Sequence, residues 1–195
     1  VPAIFLGSSE VSVKEMVGAF SIYANKGVYN APMMVTKIED KYGNVLANFY
    51  PESREVITEN TAFLMANLLQ GVVDEGTGRR LRFRYGFKNQ IGGKTGTTQN
   101  HSDGWFIGIT PDLAGGVWVG AEDRSIHFQN LANGQGASMA LPIWALFMQK
   151  VYADKSLAVP QSDFQKPNGV NHVLDCGDAD REGMTDYDSS DEIFD

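Results

Sequence analysis

Apolar residues at Val13, Met16, Val17, Phe20 and Tyr23 recur at helical spacing. Ser12, followed three residues later by Glu15, supplies a capping box at their head. The pattern predicts a helix to about Asn25, stopped by Gly27. Two strand-like runs, 35–39 and 45–49, flank Asp40-Lys41-Tyr42-Gly43-Asn44, whose Gly and Asn suit a hairpin turn and predict a small surface ribbon. From Thr58 to about Val73, the residues Phe63, Leu64, Ala66, Leu68, Leu69 and Val72 mark a largely buried helix that ends near Gly76.

Period-two character takes over after a basic stretch, with β-like runs at 89–98, 104–110 and 115–121. Pro111-Asp112 joins the last two as a turn signal, so neighbouring strands are expected to be antiparallel. A final helix is expected over 138–152, where Leu141, Ile143, Trp144, Phe147, Met148 and Val151 form a wide apolar face and Pro142 falls near the first turn. Trp105, Trp118 and Trp144 read as core aromatics. Helices on either side of a strand group imply an α/β (α+β) fold, an antiparallel sheet flanked by helices.

Composition sharpens the domain reading. With 195 residues, 43% of them hydrophobic, the chain has enough material for one domain with a substantial core. It starts with Val1 and carries no basic-then-apolar leader and no run long enough to cross a bilayer, so it reads as a piece of a longer protein. The net charge of -8 is entirely accounted for by residues 175–195, with nine acidic residues and one Arg; residues 1–174 carry 15 charges of each sign. Residues 1–155 are therefore expected to form the folded unit, and residues 156–195 a linker and solvated acidic tail. The single Cys176 and the three histidines, His101, His127 and His172, have no metal-ligand spacing; neither metal nor cofactor is implied.

The densest chemistry lies in Gly92-Gly93-Lys94-Thr95-Gly96-Thr97-Thr98, inside a predicted strand. A phosphate-binding loop needs its glycines and lysine at a helix N-terminus, so a nucleotide site does not fit this placement. A lysine, two hydroxyls and a glycine on an open strand edge suit an extended peptide ending in a carboxylate. Lys94 would supply positive potential, and Thr95 and Thr97 would project together and donate to the carboxylate. Gly96 would leave room for the reacting carbonyl, and the Thr97 N–H would serve as oxyanion donor. On spacing alone, a surface strand merely rich in Thr and Gly remains the plain alternative.

The K-T-G triplet resembles the third signature of penicillin-binding proteins and serine β-lactamases. Its surroundings are similar to class A penicillin-binding proteins: Leu6-Gly7-Ser8-Ser9-Glu10-Val11 with Glu15-Met16, Gly76-Thr77-Gly78-Arg79, Gly93 to Thr98, Asp103-Gly104-Trp105-Phe106-Ile107-Gly108 with Thr110-Pro111-Asp112, Gly116-Val117-Trp118-Val119-Gly120, and Ala140-Leu141-Pro142-Ile143-Trp144. They follow the family's order from about Leu6 to about Tyr152. The resemblance implies the C-terminal part of a D,D-transpeptidase domain with a five-stranded antiparallel sheet. Lys94, Thr95, Gly96 and Thr97 would lie beside the catalytic cleft, and Thr98, Trp105 and Arg79 would be possible cleft-lining residues.

By the same resemblance, a serine attacks the penultimate D-alanine carbonyl of a peptidoglycan stem peptide, terminal D-alanine leaves, and an amine of a neighbouring stem resolves the acyl-enzyme. β-Lactams mimic the D-Ala-D-Ala end. Implied too are an N-terminal glycosyltransferase, a membrane anchor outside this chain, a location on the extracytoplasmic face of the bacterial envelope, and the remainder of the transpeptidase domain as structural partner. The departures are specific. None of the nine lysines has a serine three residues before it, so S-x-x-K is absent, and no serine stands two before an asparagine. Tyr42-Gly43-Asn44 imitates a second signature but reads as a turn.

Two other readings stay open on sequence: a D,D-carboxypeptidase or β-lactamase relative, or a non-catalytic binding or scaffold module. The basic run Arg79, Arg80, Arg82, Arg84 and Lys88 is short and sits in a charge-balanced body, so it reads as a solvated or cleft-side loop, with no nucleic acid partner. Asp74-Glu75 and Glu122-Asp123 are adjacent pairs that face apart, and the neighbours His101 and Ser102 form no triad.

Overall fold

The computed structural model describes residue 7 and residues 9–170. His172, Cys176, the acidic segment 175–195, Leu6 and Ser8 lie outside the described residues.

Helix α1 (Val13–Ala24) begins at Ser12, whose side chain accepts the Glu15 N–H while the Glu15 carboxylate accepts the Ser12 N–H, so the capping box is complete. Beyond its end, Lys26 and Gly27 take positive φ, and a side chain at Gly27 would run into the Ile57 carbonyl. There the chain turns into β1 (Val28–Asn30), which pairs antiparallel with β4 (Ser53–Glu55). Between them lies the expected ribbon, β2 (Lys37–Glu39) against β3 (Val45–Asn48). Asp40 closes its turn by accepting the N–H groups of Tyr42 and Asn44, and Gly43 takes φ +86°.

Helix α2 (Glu59–Asp74) starts at Thr58, whose hydroxyl accepts the Thr61 N–H. It buries Ala62, Ala66, Leu69 and Val73, but Leu68 is exposed, so only one face of the helix is sealed. The basic run forms a short helix, α3 (Arg80–Phe83), that the sequence pattern did not predict. It is built into the body: Arg80 donates to the Ala137 carbonyl and Ser138 Oγ, and Arg82 pairs with Asp74 and donates to the carbonyls of Phe87 and Asn89.

The central sheet is antiparallel, in the order β5 (Gly92–Thr97), β6 (Asp103–Ile109), β7 (Ala114–Gly120). Among the described residues this sheet has three strands, where the resemblance implies five. One face receives α1 and α2: Ile109 packs with Ala66, Leu69 and Phe20. The other receives α5 (Gly136–Ala153), preceded by a short α4 (Leu131–Gly134). Trp144 stands at the centre of that face, 5.4 Å from the Phe106 ring and edge-on to it. Its ring lies over Gly108 and Gly115, where any Cβ would be 2.5 and 3.0 Å from it. Two strand glycines therefore make room for the largest core side chain.

Several expectations need correction. Trp118 is 41% exposed and Trp105 half-buried; they oppose each other on β6 and β7, and only Trp144 is sealed, at 2%. Because α5 starts at Gly136, Pro142 sits inside the helix, beyond the first turn, and cannot donate to the Ser138 carbonyl. The apolar face of α5 is wider than the sheet covers, leaving Ile143, Leu146 and Phe147 exposed. The segment from residue 156, expected as a linker, returns to the body as far as it is described. Phe164 packs beside Ile109 and donates its N–H to the Gln90 side chain, Ser162 reaches Asp112 at 3.4 Å, and Val170 is buried.

Candidate active site

Strand β5 ends the three-stranded sheet, so one of its edges is open among the described residues. The Thr98 N–H donates to the Asp103 carbonyl. In an antiparallel ladder the bonding direction alternates residue by residue, which turns the N–H and C=O groups of Thr95 and Thr97 away from β6, toward that open edge. The Lys94 ammonium donates to the Thr95 carbonyl at 2.8 Å, which brings the positive charge to the same edge.

Side-chain alternation divides the two faces. A Cβ at Gly93 would meet the Phe106 ring, and Thr95 and Thr97 follow on that side of the strand. Both hydroxyls are held from behind. Thr97 Oγ1 accepts the Gly136 N–H, the first of helix α5, at 3.0 Å. Thr95 Oγ1 lies 2.8 Å from Thr77 Oγ1, contributed by the loop between α2 and α3. Helix α5 can come this close only because residue 136 is glycine, since a Cβ there would overlap the carbonyl oxygens of Gly96 and Trp105.

Lys94 and Thr97 are exposed, and Thr95 and Gly96 half-exposed, so the edge is open to a ligand. A Cβ at Gly96 would fall 3.1 Å from Trp105 Cβ, so the space that Gly96 keeps clear lies over Trp105, on the face opposite the two hydroxyls. Thr98, grouped with the cleft by sequence, has its hydroxyl within the turn to β6: it accepts the Asp103 N–H and lies 3.0 Å from the buried Ser102 hydroxyl. Arg79 is exposed at the N-terminus of α3, and its neighbour Arg80 is the arginine tied to the fold.

Sequence reasoning missed Thr77 and Gly136 as parts of this arrangement. They stand 18 and 39 residues from their partners, and the only local hint was the Gly76-Thr77-Gly78 spacing. The assembled edge can offer one ammonium, two hydroxyls and an N–H to an extended ligand with an anionic end.

The chain is similar to known proteins in both sequence and fold. Residues 5–137 match the family model described as penicillin binding protein transpeptidase domain. Penicillin-binding protein 1A of Aquifex aeolicus is 33% identical over 165 residues, covering 85% of this chain and 21% of that protein. The chain thus spans about a fifth of that relative's length. The crystal structure of penicillin-binding protein 1A from Haemophilus influenzae superposes with a TM-score of 0.75 at 24% identity, covering 86% of this chain and 30% of the other. Penicillin binding protein 3 from Mycobacterium tuberculosis, complexed with ampicillin, superposes with a TM-score of 0.54 at 21% identity, covering 74% of this chain and 35% of the other. Family model, class A relatives and shared fold agree: the chain belongs to the penicillin-binding protein transpeptidase family.

Proposed function

We propose that this chain forms the carboxylate-binding wall of a peptidoglycan D,D-transpeptidase, with its nucleophile on a segment outside these residues. One observation carries the reading: the Lys94 ammonium, bonded to the outward Thr95 carbonyl, and the outward Thr97 N–H share one open strand edge, and the Thr95 and Thr97 hydroxyls lie together on one side of the same strand. A stem peptide ending in D-Ala-D-Ala, or a β-lactam in its place, would lie along β5 as an added strand. Its carboxylate would take the two hydroxyls and the ammonium, and the Thr97 N–H would stabilise the oxyanion as the carbonyl is attacked. That a relative is complexed with ampicillin supports the β-lactam half of the proposal. The whole protein would add a glycosyltransferase and a membrane anchor and would work on the extracytoplasmic side of the membrane. No helix among the described residues is long and apolar enough to cross it.

The test is Thr97→Val in the full-length protein, read as the second-order rate of acylation by penicillin per folded molecule. The backbone N–H is kept and the hydroxyl lost. A hydrogen bond to a charged group contributes about 1.5–3 kcal/mol, so the rate should fall about 10- to 150-fold. An unchanged rate would remove Thr97 from the carboxylate site.

A further inference from the structure

We propose that Thr77 is a positioning residue for the carboxylate site: its hydroxyl donates to Thr95 Oγ1 and thereby leaves the Thr95 proton directed at the ligand. The inference rests on the reading that Thr95 and Thr97 receive a carboxylate. A hydroxyl has one proton and two acceptor positions, and a carboxylate can only accept. Each threonine must therefore spend its one proton on the ligand and, if it bonds anything else, must accept there.

For Thr97 the structure meets this requirement unambiguously. Its rear partner is the Gly136 backbone N–H, which can only donate, so the Thr97 proton is free to face outward. Thr95 stands two residues away on the same face, but its rear partner is another hydroxyl, 2.8 Å away, which could bond in either direction. With an anion at the edge, only one direction serves: Thr77 donates, Thr95 accepts, and the Thr95 proton goes to the carboxylate. The two hydroxyls then become matched donors, one polarised by a backbone amide and the other by a side chain.

The loop that carries Thr77 is built to hold it there. After α2, the Gly76 N–H donates to the Gly71 carbonyl and the Gly78 N–H to the Val72 carbonyl at 2.8 Å. A Cβ at Gly76 would sit 2.9 Å from Val72 Cα and O, and one at Gly78 would sit 3.1 Å from the Val72 carbonyl oxygen. Two glycines thus fold the chain back onto the end of α2 and lift Thr77 between them. Downstream, buried Leu81 and the Arg80 bonds to Ala137 O and Ser138 Oγ tie the loop to the first turn of α5, the same turn that holds Thr97. Both rear supports therefore belong to one braced unit.

The experiment uses the full-length protein, with Thr77→Val, Thr77→Ser, Thr95→Val and the Thr77→Val/Thr95→Val double variant, all checked for folding by melting temperature. Acylation is measured with a penicillin and with its methyl ester, which keeps the ring and loses the anion. Thr77→Val should slow acylation by the free acid about 3- to 10-fold, the size expected of a neutral hydrogen bond acting through a neighbour. It should leave the ester rate within about 2-fold, and Thr77→Ser should recover most of the loss. In the Thr95→Val background the Thr77 substitution should have no further effect, as two members of one relay require. If Thr95→Val slows the free acid but Thr77→Val does not, or if Thr77→Val slows acid and ester equally, the positioning role is wrong and the carboxylate site survives. If Thr95→Val itself is without effect on the free acid, the carboxylate reading of Thr95 falls, and the role of Thr77 with it.

Discussion

The two halves of strand β5 lie in one continuous hydrogen-bonded ladder yet meet opposite demands. At the first half, Gly92 and Gly93 are buried, and a Cβ at either would be within 3.0 Å of Leu69 or the Phe106 ring. At the second half, Lys94 and Thr97 are exposed, and the Thr97 hydroxyl is met by the Gly136 N–H, a hydrogen-bond donor, instead of apolar surface. The first half is specified by what must be absent, the second by what must be present. The difference teaches that the strand is anchored at one end so that the other can stay open. Fixed geometry there does not require that the reacting groups themselves be buried.

Substitutions at each half should therefore separate stability from chemistry. The largest effect is expected at the anchored half. Phe106→Ala removes a fully buried ring that packs on both Gly93 and Trp144, and should cost about 3–5 kcal/mol of stability by calorimetry of the full-length protein. A loss below about 1 kcal/mol would show that the sheet is not held from this side.

At the open half, Lys94→Ala should reverse the pattern. The ammonium is exposed and, among the described residues, bonds only to the Thr95 carbonyl, so the melting temperature should move by no more than about a degree or two, while penicillin acylation falls at least about 10-fold. A large drop in stability with normal acylation would break the comparison.

The smallest effect is expected at Thr98, where the open half ends. Its hydroxyl closes the turn by accepting the Asp103 N–H, so Thr98→Val should cost about 1 kcal/mol of stability and slow acylation only as far as the turn loosens. If instead acylation fell as far as in Lys94→Ala with the turn intact, Thr98 would belong among the ligand-binding residues.

What the sequence made legible follows the range of the interactions. The α1 capping box, the start of α2 at about Thr58 and the Asp40 turn are each decided within four residues, and each stands where the pattern put it. Strands β1 and β4 escaped because three-residue segments at the surface show no alternation to read. The fate of the basic run was also invisible, since Arg80 and Arg82 look like solvated charges until their carbonyl partners are brought in from other segments. The site shows the same divide. Lys94 to Thr97 carry a local signature, whereas Thr77 and Gly136 act across space on a strand they do not adjoin in sequence. Trp118 was misread because alternation gives a face but not whether another element covers it.

The unequal burial of the three tryptophans also makes the chain its own optical gauge. Trp144 is shut between α5 and the sheet, Trp105 is half-covered and Trp118 stands 41% open. A small ionic quencher should dim the emission in that order of access, Trp118 first and Trp144 last. The blue-shifted light that survives quenching therefore reports whether α5 is still seated on the sheet, and the quenchable part reports the surface around Trp105, next to Gly96 on the ligand-binding strand.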